Sequence, residues 1–241
     1  MDDLERYGDY NEIDEPPTKN PVLTIIKFAA LAIIVAVAGL LGFRIFLFNH
    51  RPDTMKSIYF TETLTEYYNS TDGNIGALTQ KLRSPYDDKD EGNFFCDNLI
   101  VIPGCGELQV SLRFNKSIAD TLYEKYGLAN FDVNNEEQFS FRLWRDGVYF
   151  GEEGYEVGTL TVAEWDEHSM YRYCKLVFDG IDFEGEDLGE AIQWIRLEIF
   201  IDGLQDAENS KKKEPFKIPV YENNESYSKF EEYALSNKER P

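Results

Sequence analysis

Residues 107–114 read Glu-Leu-Gln-Val-Ser-Leu-Arg-Phe, with an apolar side chain at every second position and polar ones between. A period of two belongs to a strand, because successive side chains leave it on opposite faces. The stretch therefore predicts a half-buried strand, one face in a core and the other toward water. The same pattern recurs along the chain. Phe139, Phe141 and Leu143 alternate with Ser140, Arg142 and Trp144, ahead of Asp146-Gly147. Cys174, Leu176 and Phe178 alternate up to Asp179-Gly180. Ile195, Leu197, Ile199 and Ile201 alternate with Trp194, Arg196, Glu198 and Phe200, up to Asp202-Gly203. Phe216, Ile218 and Val220 make a further strand, which Pro219 confines to an edge or a bulge. Residues 99–102 and 160–162 add two shorter ones.

One helix interrupts this pattern. Ser117 is its N-cap, Ile118, Leu122 and Tyr126 share one face, and Gly127 ends it. About seven short strands with turn signals and few helices predict an all-β fold. The expected architecture is an antiparallel β-sandwich, immunoglobulin-like or jelly-roll-like, with one short inserted helix, over residues 93–222. Residues 1–21 read as a disordered acidic tail and residues 49–92 as a stalk and linker of helix and irregular chain. Residues 223–241 read as a C-terminal tail, with a short helix expected around 227–235.

Residues 22–48 are apolar apart from Lys27 and Arg44. The 16 uncharged residues between those two make about 24 Å of helix. Snorkelling of Lys27 and Arg44 toward opposite interfaces extends this toward the ~30 Å of a hydrocarbon core. The sequence thus predicts a single-pass transmembrane helix acting as a signal anchor. Ala36-Val37-Ala38 resembles a signal-peptidase site, but the long acidic start and the apolar run past Ala38 argue against cleavage. Arg6 and Lys19 on one flank balance Arg51 and Lys56 on the other. The expected orientation, N-terminus cytoplasmic and C-terminal domain extracytoplasmic at the cell membrane, rests on the short tail ahead of the first apolar segment.

The chain carries a net charge of −21, of which −18 falls on residues 49–241. Such a surface repels phosphate backbones, so nucleic acid is not an expected partner. The three cysteines show no metal-ligand spacing. Three reduced, buried thiols are expected, and a Cys96–Cys105 disulfide is the alternative. The segment Asp87-Asp88-Lys89-Asp90-Glu91-Gly92 begins like a calcium-binding loop, but Lys89 and Asn98 occupy positions that need oxygen donors of the right charge. The acidic loop from Asp179 to Asp187 reads as a solvated loop. No metal and no cofactor are expected.

Histidine is limited to His50 and His168, and neither lies near an evident activated nucleophile. No catalytic residue is assigned. The sequence points to a non-enzymatic binding or envelope-assembly module with a protein or glycan ligand. The alternatives are a carboxylate-dependent glycan hydrolase on a β-sandwich, which needs only two well-placed acids, and a single-pass transmembrane sensor. The candidate binding residues are Trp194, Arg196, Glu198 and Phe200, with Trp144 extending the group if the two strands share a sheet. They fall on the face opposite the core-directed aliphatics, and two large aromatics there call for cover. That cover is either a ligand or another part of the chain, the 55–82 segment or the C-terminal helix.

Overall fold

The computed structural model describes residues 21–82, 94–147, 152–168, 170–183, 188–205, 213–220 and 230–235. The chain divides into two units, residues 1–50 and 51–241. In the first, α1 (Pro21–Asn49) contains a 26-residue stretch, Pro21–Phe46, with an 18-residue window of mean hydropathy 2.5, long and apolar enough to cross a membrane. Its side chains lie exposed wherever they are described, as a lipid-facing helix requires.

The second unit opens with α2 (Glu62–Ser70), β1 (Leu78–Lys81), β2 (Phe94–Ile102), β3 (Glu107–Asn115) and α3 (Ile118–Tyr126). It continues through β4 (Phe139–Arg145), β5 (Tyr155–Glu156), β6 (Thr159–His168), β7 (Tyr171–Asp179) and α4 (Leu188–Ile192). It ends in β8 (Ile195–Ile201), β9 (Phe216–Pro219) and β10 (Glu231–Glu232). Two antiparallel sheets result, a six-stranded sheet A in the order β10-β1-β2-β3-β7-β6 and a four-stranded sheet B in the order β5-β4-β8-β9. The all-β sandwich is thus the observed fold. The α3 helix sits where capping predicted, closed by Gly127 in the left-handed conformation. Pro219 lies on β9, an edge strand, where a missing amide donor is harmless.

The core between the sheets collects the alternating aliphatics and aromatics: Leu108, Val110, Leu112 and Phe114 of β3 face Leu143, Leu197 and Ile199 of sheet B. Trp165 of β6 lies against Phe139 at 5.2 Å and Phe141 at 6.0 Å between ring centres. The strand that ends sheet B as β5 turns at Gly158, with φ +67°, and enters sheet A as β6.

The 49–92 region departs from its expected role. Residues 51–77 are part of the domain and form a third layer on the outer face of sheet A. Ile58, Leu64, Ile75 and Ala77 pack with Ile100 and Ile102 into a second apolar cluster. This covering layer overturns the half-buried reading of β3. Its polar residues Glu107, Gln109, Ser111 and Arg113 are all buried, along with Lys175 of β7. Water is replaced by the backbone of the covering segment. The Gln109 amide accepts from Tyr59 N at 2.9 Å and donates to Tyr59 O at 2.7 Å, imitating a neighbouring strand. Ser111 donates to Met55 O at 2.7 Å, and Lys175 donates to Ser57 O at 2.8 Å. Asp97 sits 3.2 Å from Arg113 and 3.4 Å from Arg51, so the first residue of the domain is bound into the sheet.

The C-terminal helix expected around 227–235 is also replaced where residues are described. Glu231–Glu232 forms β10 on the edge of sheet A, and Tyr233 N donates to Ala77 O at 2.8 Å. All three cysteines are free thiols. Burial pushes the Cys105 thiol up to about 12. The calcium-like loop at 87–92 and the acidic residues 184–187 lie outside the described residues.

Candidate functional site

Pairing of β4 with β8 sets Trp144 opposite Arg196, Arg142 opposite Glu198 and Ser140 opposite Phe200. These residues therefore share the outward face of sheet B, their parity being opposite to that of the core residues Phe141, Leu143, Leu197 and Ile199. On the flanks, β9 places Lys217 opposite Glu198, and β5 places Glu156 opposite Trp144. Trp194 lies just before β8, and its carbonyl accepts from Asp146 N at 2.9 Å. Of the candidate residues, Trp144, Arg196, Glu198 and Phe200 fall on one face of sheet B, and Trp194 lies in the turn that precedes it.

Their roles differ from those expected. Glu198 is only 2% exposed, and its carboxylate is occupied within the face itself. Arg142 donates to its Oε2 through Nε at 2.7 Å, with Nη2 also at 2.7 Å, while Arg196 Nε donates to Oε1 at 3.0 Å. Arg196 also pairs with Asp146. Glu198 thus holds two guanidiniums in place and has little capacity left to bind a ligand directly. The Arg142 guanidinium lies over both Trp144 and Phe200, 4.7 and 4.9 Å from the ring centres. The row Trp144–Arg142–Phe200 is a stacked, laterally pinned surface in which cation–π attraction adds to the ion pairs.

Arg142 is the residue that sequence reasoning missed. Its parity with Trp144 was legible, but its position opposite Glu198 depends on register, which alternation alone does not specify. The 55–82 segment, one candidate cover for these aromatics, lies on sheet A instead. Trp194 remains the most open of the group, 39% exposed.

A second constellation lies under the covering layer at the start of β3. Glu107, fully buried, accepts from Thr61 Oγ1 at 2.7 Å and from Gln109 Nε2 at 2.6 Å. Thr61 in turn accepts from Leu64 N at 3.0 Å as the N-cap of α2. Burial pushes the Glu107 carboxyl up to about 7, with Asp179 adding to the shift and the Gln109 and Thr61 hydrogen bonds opposing it. Asp179 Oδ1 is buried and has no hydrogen-bond partner among the described residues. The neutral Glu107 carboxyl favours the folded state below the ordinary carboxyl range, and that contribution is lost as pH rises through about 7. Glu107→Gln, an uncharged isostere, is therefore expected to be more stable than the native domain at pH 7.5 by on the order of 2 kcal/mol. The advantage should shrink toward pH 4.5. Urea unfolding across that range checks this, and a difference independent of pH would refute the raised Glu107 carboxyl.

His168 ends β6 opposite Tyr171. Among the described residues, no group of three or more histidine, cysteine or carboxylate side chains is gathered as a metal site would need. The chain matches no family model, no curated protein and no solved structure.

Proposed function

We propose that this chain is a single-pass membrane protein whose β-sandwich stands outside the cell membrane and docks a protein partner on the outward face of sheet B. The observation that carries the reading is the pinned Trp144–Arg142–Phe200 row beside the open Trp194. Tryptophan and arginine held rigidly on a flat face are the residues that dominate protein–protein binding energy. Pinning by Glu198 lowers the ordering cost of association, because Arg142 and Arg196 are already oriented. In a domain of net charge −18, this face sets Arg142, Arg196 and Lys217 against Glu198, Asp146, Glu214 and Glu156 and so comes close to balance. An approaching neutral or acidic protein surface meets least repulsion there. The apolar α1 supplies the anchor.

The test uses the full chain on intact cells, with a photoreactive phenylalanine analogue in place of Trp194. A discrete cross-linked partner is expected, and Arg142→Ala should remove it. Trp194→Ala should weaken binding of that partner about tenfold or more while changing folding stability by less than about 1 kcal/mol. A larger stability loss, with no cross-link formed, would show that the face serves folding alone.

A further inference from the structure

Where the chain passes from sheet B to sheet A, the end of the sandwich opens into a cleft of about 350 Å³. Val157 N donates to Leu143 O at 3.0 Å, and Gly158 then turns away with φ +67°. The wall here is tightly built, since a Cβ on Gly158 would come within 2.8 Å of Ile181 Cγ1 and 3.0 Å of Asp179 O. The floor is apolar, formed by Ile181, Phe183 and Ile195. The rim is polar and aromatic, carrying Arg145, Tyr155, Glu156 and Asp182.

We propose that this cleft is a binding site for a neutral sugar, seated with one ring face on Tyr155 and its hydroxyls among Arg145 and Asp182. Its volume lies at the lower end of the ~300–1,000 Å³ typical of small-ligand sites, which suits one or two sugar rings. Tyr155 is 53% exposed at a concave edge, where a flat aromatic can stack on the C–H face of a pyranose. Guanidinium and carboxylate groups are planar and offer paired donors or acceptors, the geometry that adjacent hydroxyls satisfy. Charge selects against anions, because the rim carries two carboxylates to one guanidinium on a domain of net charge −18. A wholly apolar ligand would leave that rim desolvated without compensation. The cleft is separate from the Trp144–Arg142–Phe200 row, and a partner protein bound at Trp194 neither requires it nor excludes it.

The experiment uses the full chain in detergent micelles, titrated with glucose, galactose, mannose, N-acetylglucosamine and their β-1,4-linked dimers, with glucuronic acid as the anionic control. Ligand-observed NMR reads the binding. At least one neutral sugar should bind, with glucuronic acid binding at least tenfold more weakly. Tyr155→Ala should reduce binding at least tenfold, Tyr155→Phe should preserve it, and Asp182→Asn should weaken it. All three variants should retain the native thermal midpoint, since these side chains lie at the surface. Three outcomes would overturn the site: no neutral sugar binds, Tyr155→Ala leaves binding unchanged, or Trp194→Ala abolishes binding while Tyr155→Ala does not. The first two leave the protein-docking reading of sheet B untouched, and the third moves the sugar onto that face.

Discussion

A chain truncated to begin at Leu78 is expected to lose its cooperative unfolding transition, whereas one beginning at Arg51 keeps it. Truncation removes Met55, Ile58, Leu64 and Ile75, all buried, and uncovers Ile100 and Ile102, which are fully buried in the intact domain. Each large aliphatic of this kind contributes about 1.5–3 kcal/mol by leaving water. Ordering the covering segment opposes that gain, so the net loss is smaller than the sum. A loss of at least about 5 kcal/mol is still expected, a large share of the ~5–15 kcal/mol that holds an ordinary domain together. The hydrogen bonds from Gln109, Ser111 and Lys175 to the segment backbone disappear as well. Near-ultraviolet circular dichroism and urea unfolding of the two truncated chains make the comparison. If the shorter chain unfolds cooperatively with a midpoint close to that of the longer one, the segment is a dispensable stalk after all.

The second large effect is expected from a charge in the core between the sheets. Ile199 is fully buried on β8, with Phe141 beside it on one neighbouring strand and Phe216 on the other. Ile199→Asp places an unpaired carboxylate among aromatic rings, where neither water nor a donor reaches it. A cost above about 4 kcal/mol is expected, enough to unfold much of the population. Ile199→Val at the same position removes one methylene and should cost only about 1 kcal/mol. The two variants together separate charge burial from cavity formation. A folded Ile199→Asp variant within about 1 kcal/mol of the native domain would contradict the two-sheet packing, since that packing leaves no route for the carboxylate to reach solvent.

The strands that were legible share one property, a period-two pattern or a short apolar run bounded by turn residues. β3, β4, β7 and β8 announce themselves because one face of each lines the same core. β5 and β10, two residues each, are too short to carry a period, and β1 with Leu-Thr-Gln-Lys is barely longer. What alternation could not reveal was the destination of the second face. In β3 and in β8 the second face carries charged residues, and on sequence grounds both read as facing water or a ligand. In the folded chain the β3 face is sealed beneath residues 51–61, while the β8 face is stacked by Arg142 of the neighbouring β4. Nothing local distinguishes Arg113 from Arg142. The difference comes from which surface the segment after α1 happens to cross.

The candidate site was legible as a set of residues and not as a device. Trp144, Trp194, Arg196, Glu198 and Phe200 follow from parity alone, which the backbone imposes on every strand. That Glu198 clamps two guanidiniums, and that Arg142 fills the gap between two rings, follows from register and from a separation of many residues along the chain. The cleft at Gly158 was invisible for a related reason, as its floor and rim are assembled from β4, β5 and the chain on either side of α4. By itself the sequence determined an apolar helix, a strongly acidic domain and the core faces of the principal strands, because these depend on composition and on periods of one element. Only the tertiary structure decided that residues 51–77 belong to the domain, that the Glu107 carboxyl is buried beneath them, and where aromatic and charged side chains meet. Those outcomes depend on burial and on pairings between distant segments, and both exist only once the chain has closed on itself.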